Sequence, residues 1–157
     1  MIRHSKIIDE FISQAAAKKV RMLMVGGGAV NFHGYQRHSA DIDFWIETTE
    51  ENFNRLLNVF KSLDYDIEDF PDTVKEGNQN IAIKFSPVDQ QLELITRFSL
   101  DKSFEEAYLN SEEVIIQGNK ILKWRVLSYD DLIESKLRSM RPKDLLDIQE
   151  LQRINKD

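Results

Sequence analysis

Cysteine is absent from the 157 residues, which excludes a disulfide framework, a thiolate metal site and a cysteine nucleophile and leaves the redox compartment open. An excess of basic charge is missing too. Lys and Arg total 21 against 27 Asp and Glu, a formal net charge of −6. That excludes a protein held to bulk DNA or RNA by a net basic face, while leaving room for a local basic patch. No apolar run approaches the roughly 18 residues that suggest a membrane span. The amino-terminal MIRHSKIIDEFISQ breaks each short apolar run with a charge, unlike a signal-peptide core. The expectation is a soluble, cytoplasmic protein with no membrane partner. What is present suffices for a core: 41 % of residues are hydrophobic and 31 % charged, too apolar a balance for a disordered tail. The length suits a single domain over residues 1–157, with a core to about residue 126 and a helical tail over about 127–157.

Hydrophobic spacing divides the chain into elements. Residues 2–19 carry Ile7, Ile8, Phe11, Ile12 and Ala15 at helical intervals, an amphipathic opening helix. Residues 21–25 (RMLMV) form a short apolar run that stops at three glycines, as a buried strand entering a tight turn does. A short helix over 29–34 follows. In residues 41–47 (DIDFWIE), Ile42, Phe44 and Ile46 alternate with Asp41, Asp43 and Trp45, so a strand with one oily face projects both aspartates from the other. Thr49 caps an amphipathic helix through Phe60, and residues 64–80 read as an acidic loop. Residues 80–85 and 91–97 predict a hairpin, 101–110 a short capped helix, and 113–117 with 120–124 a second hairpin around Gly118-Asn119. Two helices, 128–140 and 142–154, close the chain, the second opening on proline, whose missing amide is harmless there.

The chemistry concentrates in residues 25–47, VGGGAVNFHGYQRHSADIDFWIE. Glycines that end a strand and open a helix leave unblocked amides, a natural cradle for phosphate oxygens; the other reading is a tight turn and nothing more. Asp41 and Asp43 lie on one strand face, with carboxylates about 7 Å apart. They repel each other unless a cation or hydrogen bonds offset the charge, and two hard oxygen donors suit magnesium. A solvated strand face is the competing interpretation. Arginine at position 37 suits bidentate phosphate recognition and equally an ion pair with a nearby carboxylate. His33 and His38 read as hydrogen-bonded structural residues. Trp45, Trp124 and Tyr129 offer aromatic faces to a base, though aromatics at strand ends usually belong to core or rim.

This arrangement resembles the nucleotidyltransferase superfamily typified by DNA polymerase beta, and more closely its small bacterial AbiEii-like branch. The motifs are Gly27-Gly28, the short helix after them, Arg37-His38-Ser39-Ala40-Asp41-Ile42-Asp43, Glu93 within LELI, and the closing run 127–151. Two departures stand out. Gly27-Gly28 replaces the polymerase-type Gly-Ser, removing a hydroxyl, and Glu93 stands where many relatives have aspartate. The resemblance implies an α/β (α+β) fold with a small mixed sheet flanked by helices and a helical region at the carboxyl end. It also implies that Asp41, Asp43 and Glu93 are catalytic and hold Mg2+ or Mn2+, and that Gly27, Gly28, Arg37, Ser39 and Lys136 contact the nucleotide. Arg141, Lys143, Asp144 and Asp147 are expected to lace the last two helices together.

The activity so implied is transfer of a nucleoside monophosphate from a nucleoside triphosphate to an acceptor hydroxyl, releasing pyrophosphate. The acceptor is a protein, an RNA end such as that of tRNA, or a small molecule, and relatives include toxin–antitoxin components. Glu93 reads as ligand, as base or as an outward-facing strand residue. The alternative is a nucleotide-binding or partner-binding module that keeps the fold without turnover; three retained carboxylates argue against it.

Overall fold

The computed structural model describes residues 6–37, 41–87 and 90–156. Among them lie seven helices and six strands, in the order α1 (Lys6–Ala17), β1 (Met22–Val25), α2 (Gly26–Phe32), β2 (Asp41–Ile46), α3 (Glu50–Ser62), α4 (Asp72–Lys75), β3 (Ile81–Lys84), β4 (Gln91–Ile95), α5 (Phe104–Asn110), β5 (Glu112–Gln117), β6 (Ile121–Val126), α6 (Tyr129–Ser139) and α7 (Pro142–Ile154). The strands form one mixed sheet in the order β3-β4-β2-β1-β6-β5. β1 runs antiparallel to β2 and parallel to β6, and β2 runs parallel to β4. No helix among the described residues is long and apolar enough to cross a membrane.

The core follows from the periodicities. Ile8, Phe11, Ile12 and Ala15 of α1 are buried, one stripe at the i, i+3, i+4, i+7 spacing. They meet Phe44 of β2 and Phe60 of α3, whose ring centroids lie 6.4 and 5.8 Å from that of Phe11. Each such buried aromatic or aliphatic side chain contributes about 1.5–3 kcal/mol. α3 begins where expected, with Thr49 Oγ1 accepting from the Asn52 amide at 3.2 Å; such a cap contributes about 1 kcal/mol. Buried Asn52 also accepts from the Arg21 amide and donates to the Arg21 and Glu47 carbonyls, tying α3 to the outer ends of β1 and β2.

Three features differ from the sequence expectation. The three glycines are the first turn of α2 itself, starting at Gly26, because the positive φ of Gly26 lets the strand pass directly into helix. The acidic loop contains α4, held by Val74 and by Phe70, which packs on Phe53 and Phe60. The second face of β2 is partly covered: Trp45 is buried beneath Phe98 and Phe104, which leaves Asp41 and Asp43 as that face's half-buried polar end.

Topology decides where that end lies. Because β1 and β2 are antiparallel, the last residue of β1 meets the first part of β2, and Val25 pairs with Asp43. β4 runs parallel to β2, so Glu93 pairs with the same Asp43. β6, parallel to β1, delivers Leu127, whose amide donates to the Met24 carbonyl at 3.1 Å. α2 and the α6–α7 pair therefore leave the sheet at one end, beside the carboxylates.

Candidate active site

The carboxylate face forms the floor of a cavity of about 480 Å3, within the range of small-molecule sites. Asp41, Asp43 and Glu93 line it from β2 and β4, Gly26 and Gly27 from α2, and Lys136, Arg141 and Lys143 from the α6–α7 corner. Val25, Arg37, Ile95 and Phe98 complete the wall. The floor is acidic and the helical wall basic.

Asp43 is the most perturbed group. Its carboxyl is pushed up to about 6 from an ordinary 3.8, first by burial and then by the charges of Glu93 and Asp41, against the opposing pull of Lys143 and Arg141. Loss of solvation, with mutual repulsion among carboxylates that share a pocket added to it, produces this shift. A Cβ placed at Gly26 would fall 2.3 Å from Asp43 Oδ2, so backbone and carboxylate are in contact where α2 begins. The donor set fits a hard, oxygen-seeking divalent cation, which would offset that repulsion. Among the described residues no three His, Asp or Glu side chains already converge as a preformed metal cluster.

The basic wall is an ionic network with a buried centre. Lys136, with only 5 % of its side chain exposed, lies 2.9 Å from Asp147 Oδ2 and 3.3 Å from Asp144 Oδ1. Arg37 forks onto Asp147 through Nε at 2.9 Å and Nη2 at 3.0 Å. Arg141 Nε donates to Asp144 at 2.7 Å. Burial works against the Asp144 carboxylate, but the Arg141 hydrogen bond and the Lys136 charge hold its carboxyl below the usual range. Three cations thus face two anions, and exposed Lys143 adds a fourth positive charge at the cavity. The corner is set locally: Met140 takes a left-handed conformation and Arg141 an extended one, as a residue before proline must, which turns α6 sharply into α7.

The structure gathers Asp41, Asp43, Glu93, Gly27, Arg37 and Lys136 around one cavity. Gly28 is not among the lining residues, because its Cβ position faces the core, 2.7 Å from Met24 Sδ. Ser39 and His38 lie outside the described residues. His33 sits apart, 2.8 Å from the Leu127 carbonyl. Sequence reasoning missed Gly26, Ile95 and Phe98, and placed Arg141 and Lys143 only in the helix lacing. Arg141 does lace, to Asp144, and also lines the cavity. The signal for Gly26 was available, since it is the first glycine after the strand, directly following Val25.

The site thus sets strand-borne carboxylates beneath a basic helical wall, on a mixed sheet flanked by helices. Residues 4–156 match the family described as "Nucleotidyltransferase of unknown function (DUF6036)", and the chain belongs to that family. No curated protein matches the sequence. Among solved structures, that of ANT(2")-Ia in complex with adenylyl-2"-tobramycin is similar with a TM-score of 0.52 at 13% identity, over 94% of this chain and 87% of that one. At that identity the likeness is one of fold.

Proposed function

We propose that this nucleotidyltransferase moves a nucleoside monophosphate from a nucleoside triphosphate to an acceptor hydroxyl, with Mg2+ or Mn2+ held by Asp41, Asp43 and Glu93. The observation that carries this reading is the pairing of Asp43 with Glu93 across adjacent strands, beside Asp41 and against the backbone of Gly26. When bound, the cation lowers the pKa of the attacking hydroxyl and neutralises charge on the leaving pyrophosphate.

The chain supplies position and electrostatics. The acceptor oxygen bonds to the α-phosphorus as the bond from that phosphorus to the pyrophosphate oxygen breaks. Glu93 either shares the cation or takes the hydroxyl proton, and the pH dependence of Glu93→Gln separates the two. Gly26 and Gly27 give phosphate oxygens close access to the backbone. Exposed Lys143 and Arg141 meet the triphosphate charge, while Lys136 and Arg37, already held by Asp144 and Asp147, orient that wall. Ser39 is assigned to the nucleotide by its motif.

The acceptor is a protein, an RNA end or a small hydroxylated molecule; the adenylylated tobramycin bound by the fold relative supports the last. The AbiEii-like placement and the toxin–antitoxin setting rest on the resemblance carried by the sequence motifs. Thermal melting with each nucleoside triphosphate, magnesium, or both tests the site. The combination should raise the melting temperature above that with nucleotide or magnesium alone, by the equivalent of about 2.7 kcal/mol at ligand 100 times its Kd. No metal-dependent shift with any nucleotide contradicts the reading.

A further inference from the structure

A second cavity, of about 470 Å3, lies at the opposite end of β1, where the end of α1 meets α3, α5 and the β5–β6 hairpin. Five basic side chains line it, Lys19, Arg21, Arg55, Lys123 and Arg125, against one acid among the described lining residues, Glu113. In a chain of net charge −6 this concentration is local and opposite in sign to the whole.

Two of the cations are fixed in place. The Arg21 guanidinium lies 4.3 Å from the Tyr108 ring centroid, and that of Arg125 lies 5.1 Å from it. Arg125 also donates to Ser111 Oγ at 2.7 Å and to the Ser111 carbonyl at 3.0 Å. With two guanidiniums on its ring, Tyr108 has little face left to stack on a base, so recognition here is of charge. Lys123 and Arg125 share one face of β6 and both reach Glu113 Oε2, at 3.4 and 3.6 Å, so a single anionic group can meet both, while Lys19, Arg21 and Arg55 across the cavity leave charge for a second. Glu47, Glu105, Glu51 and Glu113 already pair with these cations. Glu105 and Glu51 are 57% and 73% exposed at the rim, and pairs so exposed contribute only about 0–1 kcal/mol. A multivalent anion can displace them.

We propose that this cavity binds two or more closely spaced phosphate groups, as on a diphosphate or a nucleic-acid backbone, separately from the carboxylate site. The acidic overall balance excludes a broad nucleic-acid face and leaves one confined groove to do this.

The test titrates the full chain, with chelator and no divalent cation, using inorganic pyrophosphate and, separately, a single-stranded RNA of about 12 nucleotides. At least one probe should bind. Lys19→Glu with Lys123→Glu should weaken it about tenfold or more and, for RNA, flatten the log–log salt dependence by about 1.4. Asp43→Asn should leave this binding unchanged while losing the stabilisation by nucleotide with magnesium, so the two sites fail independently. Arg55→Gln, on a helix surface, is the second variant should the charge reversal beside Glu113 unfold the hairpin, and should weaken binding in the same direction. Binding of pyrophosphate as tight as that of RNA assigns a small phosphorylated ligand; RNA binding about tenfold tighter assigns a backbone. Failure of both probes on the wild type, or affinity indifferent to these variants in folded protein, overturns the proposal.

Discussion

The Cβ of any residue other than glycine at position 26 would lie 2.3 Å from Oδ2 of Asp43. Strand, helix start and carboxylate meet there, so the backbone conformation of Gly26 and the orientation of Asp43 are one structural fact. Gly26 also has a φ of +62, which adds about 1 kcal/mol of strain for a residue with a side chain.

Gly26→Ala should therefore lower stability by about 1–3 kcal/mol and reduce transfer far more than that loss of folded protein explains, because the carboxylate must move. Thermal melting and turnover on the same preparation check this. A variant as stable and active as the wild type would show that Asp43 is not held by that contact.

A pH dependence follows from Asp43. Its carboxyl is pushed up to about 6 in the folded chain against an ordinary 3.8. The native state then keeps a proton that the unfolded chain has released, so stability falls as pH rises from about 4 to about 6. Above that window the cost of the ionised group, of order 2–3 kcal/mol, is fully present. Asp43→Asn should melt higher than wild type at pH 7–8, and the difference should close below about pH 4. Melting curves across that range decide it; equal melting temperatures at pH 7–8 would contradict the burial and repulsion inferred for Asp43.

Lys136 and Asp147 test the difference between a structural and a ligand-contacting cation. Lys136 is buried between two carboxylates, so Lys136→Met removes the cation they share, leaves each with one arginine and should cost about 1–3 kcal/mol. Asp147→Asn removes the shared partner of Lys136 and Arg37 and should destabilise in the same direction. Chemical denaturation reads both. A Lys136→Met protein of wild-type stability with a raised KM for nucleotide would return Lys136 to direct phosphate contact.

Lys143 should behave in the opposite way. Exposed at the cavity wall, it should tolerate Lys143→Ala within about 0.5 kcal/mol of stability. Its positive charge lowers the Asp43 carboxyl, so the variant should raise the KM for nucleotide and move the acidic limb of the rate profile to higher pH. Steady-state kinetics at several pH values measure both. An unchanged KM would remove Lys143 from the nucleotide wall.

The fold was legible wherever a local signal matched a global one. The alternation of Ile42 and Phe44 with Asp41 and Asp43, the Thr49 cap and the proline opening α7 each specify an element from a few neighbouring residues. α4 was not legible, because it is a single turn whose anchor, Val74, is buried by distant partners. The site divides the same way. Asp41 and Asp43 announce themselves by spacing two apart on a strand. The roles of Lys136, Arg141 and Lys143 depend on the angle between α6 and α7, which sequence spacing does not encode: the lysine that reads as a phosphate ligand is the buried one, and Lys143 beyond the proline is the exposed one. Gly28 shows the same limit, since which of three consecutive glycines faces a cavity depends on helix phase.

The most direct test of the carboxylate site is transfer itself. Nucleoside triphosphates labelled at the α-phosphate are incubated with wild-type chain, magnesium and cell extract, alongside Asp43→Asn, which removes one negative charge at nearly constant shape. The expected result is a labelled acceptor and released pyrophosphate that require magnesium, with both lost in a folded Asp43→Asn protein. Undiminished labelling by Asp43→Asn would contradict the account.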